Sequence, residues 1–332
     1  MMKILGVVSG GMGDQILTLP AIRYLADVCG ASTIEIRLAA HETRSRLFGC
    51  LLNRPGVNIA DFDDLQRSMH SAVYNWILDF DFRDPSGSES LPMWIQAQRG
   101  YFRFSSCTSR ANEIIFSSGE LYWRDCFAMA AHLAKQICLP CPDLNEEAFR
   151  RSGIEPPDDA MRIRLRDLFS NIDPGKPVIA ITPGGYNPAH KVWPAPNFAA
   201  VICALAERNF NVVVLGSKQE LELSRRIYSI ISGRPKAWQD TAPGAVTFLA
   251  GRTAPHDLPY LLQQVCLHIA NDNGVAQIGG ALNLPQVVLY RGTGSSHHTL
   301  GARDVPLFSG DRNSMNSISV MQVLTAITSC YP

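Results

Sequence analysis

The sequence predicts an α/β protein made of two Rossmann-like domains, each with a parallel sheet, facing one another across a central cleft. Three observations carry this expectation. Each half opens with a short apolar run that stops at glycines, residues 3–8 before Gly10-Gly11 and residues 178–182 before Pro183-Gly184-Gly185. Short apolar runs then alternate with stretches of helical spacing, the grammar of βαβ units. Between the halves lies a polar stretch with two prolines, residues 153–159, so the domains are expected at 1–157 and 158–332.

In the first half a helix is expected from Gln15 to Val28, with apolar residues at Ile16, Leu17, Leu19, Ile22, Leu25 and Ala26. Strands are expected at 34–38 and 76–80. In the second half helices are expected at 198–207, 221–231, 258–265 and 274–282, and strands at 211–215, 267–270 and 286–290.

Composition fits this architecture. A chain of 332 residues is about two domains long, and 46% hydrophobic residues suffice for two cores. Charged residues make up only 18%, against disorder, and 30 basic residues balance 30 acidic ones. That balance argues against a nucleic-acid-binding protein, which carries a basic surplus. The amino-terminal run is followed by glycines rather than a cleavage site, and no 18 apolar residues run together, so a cytoplasmic chain without a membrane span is expected. Nine scattered cysteines do not form a secreted disulfide framework.

The first glycine-rich turn is not a dinucleotide fingerprint. A G-x-G-x-x-G pattern beginning at Gly11 needs glycine where Ile16 stands, and no acidic residue closes the second strand. What the turn offers is Asp14 at a helix start. It is either a first-turn carboxylate that favours the helix or a base able to take a proton from a substrate hydroxyl.

In the second half, Gly184 and Gly185 after a strand let backbone N–H groups approach phosphate oxygens, and Lys191 adds a cation suited to a diphosphate. Lys191 is equally an ordinary surface lysine, and Trp193-Pro194 equally a packing anchor. Asn271, Asp272, Asn273 and Gly274 follow the strand 267–270 and open a small-residue helix, an anion site in which Asp272 either accepts sugar hydroxyls or caps the helix, a cap that Asn273 also offers.

Other motifs are weaker. Cys138 and Cys141 lack a second C-x-x-C pair for zinc and lie at a helix end, so buried thiols are expected. His297-His298 are expected in a loop. Asp79-Phe80-Asp81 has metal-motif spacing and lies in the first half at the end of the strand 76–80. Residues 99–104, aromatic and basic, are either a contact for a lipid or phosphorylated sugar or a half-buried strand.

Taken in order, these residues resemble glycosyltransferase family 9, the ADP-heptose:lipopolysaccharide heptosyltransferases. Ser9-Gly-Gly-Met-Gly13-Asp14 with Thr18-Leu-Pro20, Pro183-Gly184, Lys191-Val-Trp193-Pro194 and Val213 to Gly216 carry the likeness. So do Leu249-Ala-Gly251-Arg-Thr253, the block from Asp272-Asn-Gly274 to Pro285, and Met315-Asn-Ser-Ile318. One departure is Gln277, where the family has histidine; an amide still hydrogen-bonds but carries no charge.

The resemblance implies a GT-B fold and an inverting glycosyltransferase, with an acceptor-binding domain at 1–157 and a nucleotide-sugar-binding domain at 158–332. Asp14 becomes the general base, with Gly13 and Thr18 on the acceptor side. Gly184, Gly185, Lys191, Glu220, Asp272, Asn273, Gly274 and Gln277 become donor and phosphate residues, with Glu220 the displaced ribose acid. The implied donor is a nucleotide-diphosphate sugar, ADP-heptose above others, and the acceptor a saccharide or glycoconjugate, with neither metal nor other cofactor required and peripheral contact with the inner membrane allowed. Two readings compete: a sugar-nucleotide epimerase or hydrolase on the same fold, and a catalytically silent binding subunit.

Overall fold

A computed structural model describes residues 1–8, 11–40, 42–52, 54–61, 74–80, 97–103, 113–115, 122–137, 146–150, 152–185, 192–233, 241–242, 246–293 and 299–331. The chain divides into two compact units, with the break between Glu155 and Pro156.

The first unit runs β1 (Met2–Val7), α1 (Met12–Leu17), α2 (Leu19–Cys29), β2 (Ile34–Ala40), α3 (Glu42–Leu52) and β3 (Val57–Asp61). It continues through β4 (Tyr74–Asp79), β5 (Ala97–Arg103), β6 (Glu113–Ile115), α4 (Tyr122–Ile137) and α5 (Glu146–Arg150). The strands form one parallel sheet in the order β3-β2-β1-β4-β5-β6. Strand β1 lies at its centre, and Ile4, Leu5 and Val7 are buried, as a strand covered on both faces requires. Against it, α2 packs on α4 and α5 through Tyr24, whose ring centroid lies 4.8 Å from Phe127 and 5.3 Å from Phe149.

The single helix expected from Gln15 to Val28 is two helices. Pro20 has no N–H to continue the ladder, so the chain breaks at Thr18. The Thr18 carbonyl restarts it by accepting from Ala21 N at 3.1 Å and Ile22 N at 3.3 Å.

The second unit runs α6 (Asp159–Leu168), β7 (Val178–Thr182), α7 (Ala195–Glu207), β8 (Asn211–Val214), a 3₁₀ turn (Lys218–Glu220) and α8 (Leu221–Ser232). There follow β9 (Thr241–Ala242), β10 (Val246–Phe248), a second 3₁₀ turn (Pro255–Asp257), α9 (Leu258–Leu262) and β11 (Leu267–Asn271). Last come α10 (Gly274–Ala281), β12 (Gln286–Tyr290), β13 (Asp304–Phe308) and α11 (Val320–Cys330). The helix expected at 258–265 ends early, at Leu262.

Its seven-stranded sheet has the order β13-β12-β11-β7-β8-β10-β9, parallel except for the antiparallel edge strand β9. Counted from β7, the parallel strands repeat the order of the first sheet. Local chemistry agrees with the element ends. Asp158 caps α6 through Met161 N at 2.7 Å, and α8 stops at Gly233, whose φ of 65° is left-handed. Ser319 and Gln322 close a reciprocal cap on α11.

Two anchors fix loops of this unit. Trp193 is wholly buried against Phe198 (5.0 Å between centroids), and its indole N–H donates to the Ile318 carbonyl at 2.8 Å. Thus Trp193 is the packing anchor, joined to the Met315–Ile318 segment. Asp257, fully buried, accepts Arg164 Nε on both oxygens at 2.8 Å and Ala254 N at 2.8 Å, while Arg164 also holds the Arg252 carbonyl at 2.8 Å. The loop 249–253 is thereby clasped to α6.

Among the described residues no helix is long and apolar enough to cross a membrane. Cys29, Cys50, Cys126, Cys203, Cys266 and Cys330 are free thiols, and burial pushes those of Cys203, Cys266 and Cys330 up.

Removing Arg164 leaves the buried Asp257 carboxylate with only the His256 imidazole, 3.8 Å away, and the Ala254 N–H beside it. Arg164→Ala is therefore expected to lower stability by about 2–3 kcal/mol, less than for a pair buried on both sides. A urea midpoint equal to that of the parent protein would remove the clasp from the account.

Candidate functional site

In an open α/β sheet ligands sit outside the carboxyl ends of the strands, where the strand order reverses. In the second unit that place lies between β7 and β11. Strand β7 leaves into Pro183-Gly184-Gly185 and β11 into Asp272-Asn273-Gly274, so two expected phosphate turns stand side by side.

Asparagines lock them together. Asn271, wholly buried at the end of β11, donates to the Pro183 carbonyl and accepts from Trp193 N at 3.3 Å. Asn273 is the cap of α10, its Oδ1 accepting from Val275 N and Ala276 N at 3.0 Å each. Its Nδ2 donates to the Gly184 carbonyl at 2.8 Å. Capping therefore falls to Asn273 and not to Asp272. Asp272 adds its negative charge to burial in holding the Tyr290 hydroxyl well above its ordinary range. Gly185 lies beside the same pair, since an added Cβ there would stand 3.9 Å from Asn273 Cβ and from the Asp272 carbonyl oxygen.

Glu220 reaches this turn from β8. As the last residue of its 3₁₀ turn it accepts Ser217 N on Oε2 at 2.6 Å. Its carboxylate lies against Gly184: a Cβ built there would fall 1.7 Å from Glu220 Oε1. Gly184 is glycine because the carboxylate occupies the space. The clasped loop abuts the same edge, with Gly251 N donating to the Gly216 carbonyl at 2.8 Å.

Gln277 is only 2% exposed, so its side chain is covered. Its N–H continues α10 from the Asn273 carbonyl at 3.3 Å. Lys191 lies outside the described residues, as do Cys138, Cys141, Asp81, His297 and His298. Trp193, two residues after Lys191, is fixed.

In the first unit Asp14 sits in the first turn of α1, and its Oδ2 accepts from Gly11 N at 2.9 Å. The helix-start role is thus real, whatever else the carboxylate does. Gly13 lies within α1. Thr18, expected on the acceptor side, is fully buried and donates its hydroxyl to the Gln15 carbonyl at 2.7 Å; its place is the helix junction. At the reversal point of this sheet, β1 pairs with β4 through Val7 and the buried Asp79. Among the described residues no group of three or more His, Cys, Asp or Glu side chains is placed to hold a metal ion.

Sequence reasoning placed Asn271 at the start of a turn and His268 in a strand but gave neither a role. The signal for both was a polar residue closing or interrupting the apolar run Leu267–Asn271. His268 is wholly buried between Thr182 Oγ1 (2.8 Å from Nε2) and Gln286 Oε1 (2.7 Å from Nδ1). Burial lowers its imidazole to about 4, against a hydrogen bond to Gln286 that raises it.

The folds of the two units define a GT-B protein. Residues 158–322 match the sequence profile of glycosyltransferase family 9 (heptosyltransferase). It is similar to lipopolysaccharide heptosyltransferase 2 of Escherichia coli (strain K12), 29% identical over 116 residues. That alignment covers 35% of this chain and spans only 31% of the relative.

Solved structures agree over the whole length. E. coli ADP-heptose lps heptosyltransferase II superposes with a TM-score of 0.71 at 18% identity, covering 99% of this chain and 98% of that one. E. coli heptosyltransferase WaaC with ADP gives 0.67 at 14% identity, covering 99% and 100%. At these identities the likeness establishes the fold.

Two measurements follow from the geometry. Gly184→Ala is expected to cost about 1–3 kcal/mol by overpacking against Glu220. In a Glu220→Ala background most of that cost should vanish, and an unchanged cost in the double-mutant cycle would deny the contact.

His268 sets a pH dependence. Above about pH 6.5 it is neutral folded and unfolded; below, the unfolded chain takes a proton that the fold refuses until about 4. Stability present in full above pH 6.5 is therefore lost towards pH 4, by about 3 kcal/mol. Melting temperatures should fall less over that window in His268→Gln, and parallel slopes would contradict this.

Proposed function

We propose that the chain is an inverting glycosyltransferase moving a sugar from a nucleotide-diphosphate donor, heptose from ADP-heptose above others, to a hydroxyl of a saccharide or glycoconjugate acceptor. One observation carries the reading. At the reversal point of the second sheet, the Gly184-Gly185 turn, the capped start of α10 and the Glu220 carboxylate are tied into one cradle. The family match of residues 158–322 and the similar solved structures, one named for ADP-heptose and one with ADP, support the choice of donor.

The chemistry assigned to the residues is as follows. As the acceptor hydroxyl attacks the anomeric carbon, Asp14 takes its proton. The departing diphosphate is met by the N-terminal dipole of α10, by backbone N–H groups of Gly184 and Gly185 and by Lys191. Glu220 accepts from ribose hydroxyls and Asp272 from the sugar. These donors stabilise the leaving group without a divalent ion. The reaction is assigned to the cytoplasm, with peripheral contact at the inner membrane where the acceptor is lipid-anchored.

A thermal-shift screen of ADP-, UDP- and GDP-sugars tests the donor. With every nucleotide sugar at one fixed concentration, ADP-heptose should give the largest shift, about 2.7 kcal/mol where that concentration is 100 times its Kd. A larger shift with a UDP- or GDP-sugar would replace it. Mass spectrometry then tests the reaction: product should form only with acceptor, whereas donor altered without acceptor indicates an epimerase or hydrolase.

If Asp14 is the base, Asp14→Asn should lower kcat on the order of 10²–10⁴-fold at nearly unchanged donor affinity. Full turnover would reduce Asp14 to its helix-start role.

A further inference from the structure

We infer that Thr182, His268 and Gln286 are positioning residues of the donor cradle, forming a buried hydrogen-bond chain that sets the spacing between the Pro183–Gly185 turn and the first turn of α10. The inference rests on the assignment of those two turns to the donor diphosphate.

The chain has a definite direction. Gln286 Nε2 lies 3.1 Å from the Ala276 carbonyl oxygen and 3.1 Å from Asp304 Oδ1, two acceptors that fix the amide orientation. Gln286 Oε1 therefore faces His268 Nδ1 as an acceptor, so Nδ1 carries the proton. His268 Nε2 is left as a lone pair and accepts the Thr182 hydroxyl. Every link is satisfied only with a neutral ring, in accord with its burial.

The ends of the chain give it its meaning. Thr182 is the last residue of β7, and the next three residues are the first turn. Ala276 stands in the first turn of α10, and its amide N–H is held by the Asn273 cap. A shorter tie runs beside the chain, from Asn273 Nδ2 to the Gly184 carbonyl. The two turns are thus fastened by the side chains of Asn271 and Asn273 and, separately, by the Thr182–His268–Gln286 chain through the interior of the sheet.

Space has been left for the inner tie. A Cβ at Gly279 would fall 2.2 Å from Gln286 Oε1, so α10 approaches β12 only because that residue lacks a side chain. Apolar residues would fill the same volume without burying polar atoms, whose desolvation is costly unless every bond is made. A fully bonded chain returns one fixed geometry.

The decisive variant is Thr182→Val, which keeps shape and β-branching but removes the hydroxyl. Its readouts are ADP affinity by calorimetry and amide exchange at residues 184–185 and 274–276 without ligand. The expected result is ADP affinity weakened about tenfold and faster exchange in both turns. Thr182→Ser should restore both. Adding Gln286→Leu to Thr182→Val should weaken ADP little further, because one chain is already cut.

ADP affinity and exchange in Thr182→Val equal to those of the parent protein would overturn the inference. So would full additivity of the two substitutions, which marks independent packing effects. A parent protein that binds neither ADP nor an ADP-sugar would overturn the donor assignment instead. Exchange in the two turns would then still decide whether the chain couples them.

Discussion

Everything in the second unit's candidate site depends on two asparagines that hold diverging turns together. Where strand order reverses, β7 and β11 are neighbours, but the segments leaving them pass to different elements. Backbone groups at such a point lose their ladder partners and must find others. Asn271 supplies them to Pro183 and Trp193, and Asn273 to Gly184 and to the start of α10. An amide alone among short side chains both donates and accepts at this reach. Aspartate at either place would lose the donor half.

Once the turns are held, the rest of the edge follows from space. With the Gly184 carbonyl fixed, the Cα face of that residue is turned to Glu220, whose carboxylate is itself fixed by Ser217 N. The clasp of Arg164 on Asp257 and Arg252 sets the next loop along, which meets Gly216 through Gly251. Trp193 does the same from the other side. The edge is a series of anchored turns, with Asn271, Trp193 and Asp257 buried and Asn273, Glu220 and Arg164 part-exposed.

Much of this was legible in the sequence. Strand β7 and strand β12 fall where their apolar runs stand, and α10 begins at Gly274 as the Asp272-Asn273-Gly274 signal suggests. What escaped did so for physical reasons. The helix break at Thr18 was hidden by an apolar spacing that runs through it unbroken, while the proline that causes it was read as part of a motif. The Arg164–Asp257 clasp joins residues 93 apart, and neither has a local pattern. The division of labour between Asp272 and Asn273 needed coordinates, because both residue types cap helices. The Thr182–His268–Gln286 chain needed them too, since its members lie on three strands whose adjacency only the sheet order reveals.

The two sheets have the same strand order yet present different chemistry at the point of reversal. In the first unit the segments after β1 and within β4 bring carboxylates, Asp14 and Asp79. In the second the corresponding positions after β7 and at the end of β11 bring glycines and amides, Gly184, Gly185, Asn271 and Asn273, beside the carboxylates of Asp272 and Glu220. Topology therefore fixes where a ligand meets each sheet, and residue type decides what it meets. A carboxylate at such an edge accepts protons and hydroxyl hydrogen bonds, whereas the backbone N–H groups of a turn and a helix start favour an anion. A reaction that must deprotonate one partner and receive an anion from the other needs both kinds of edge.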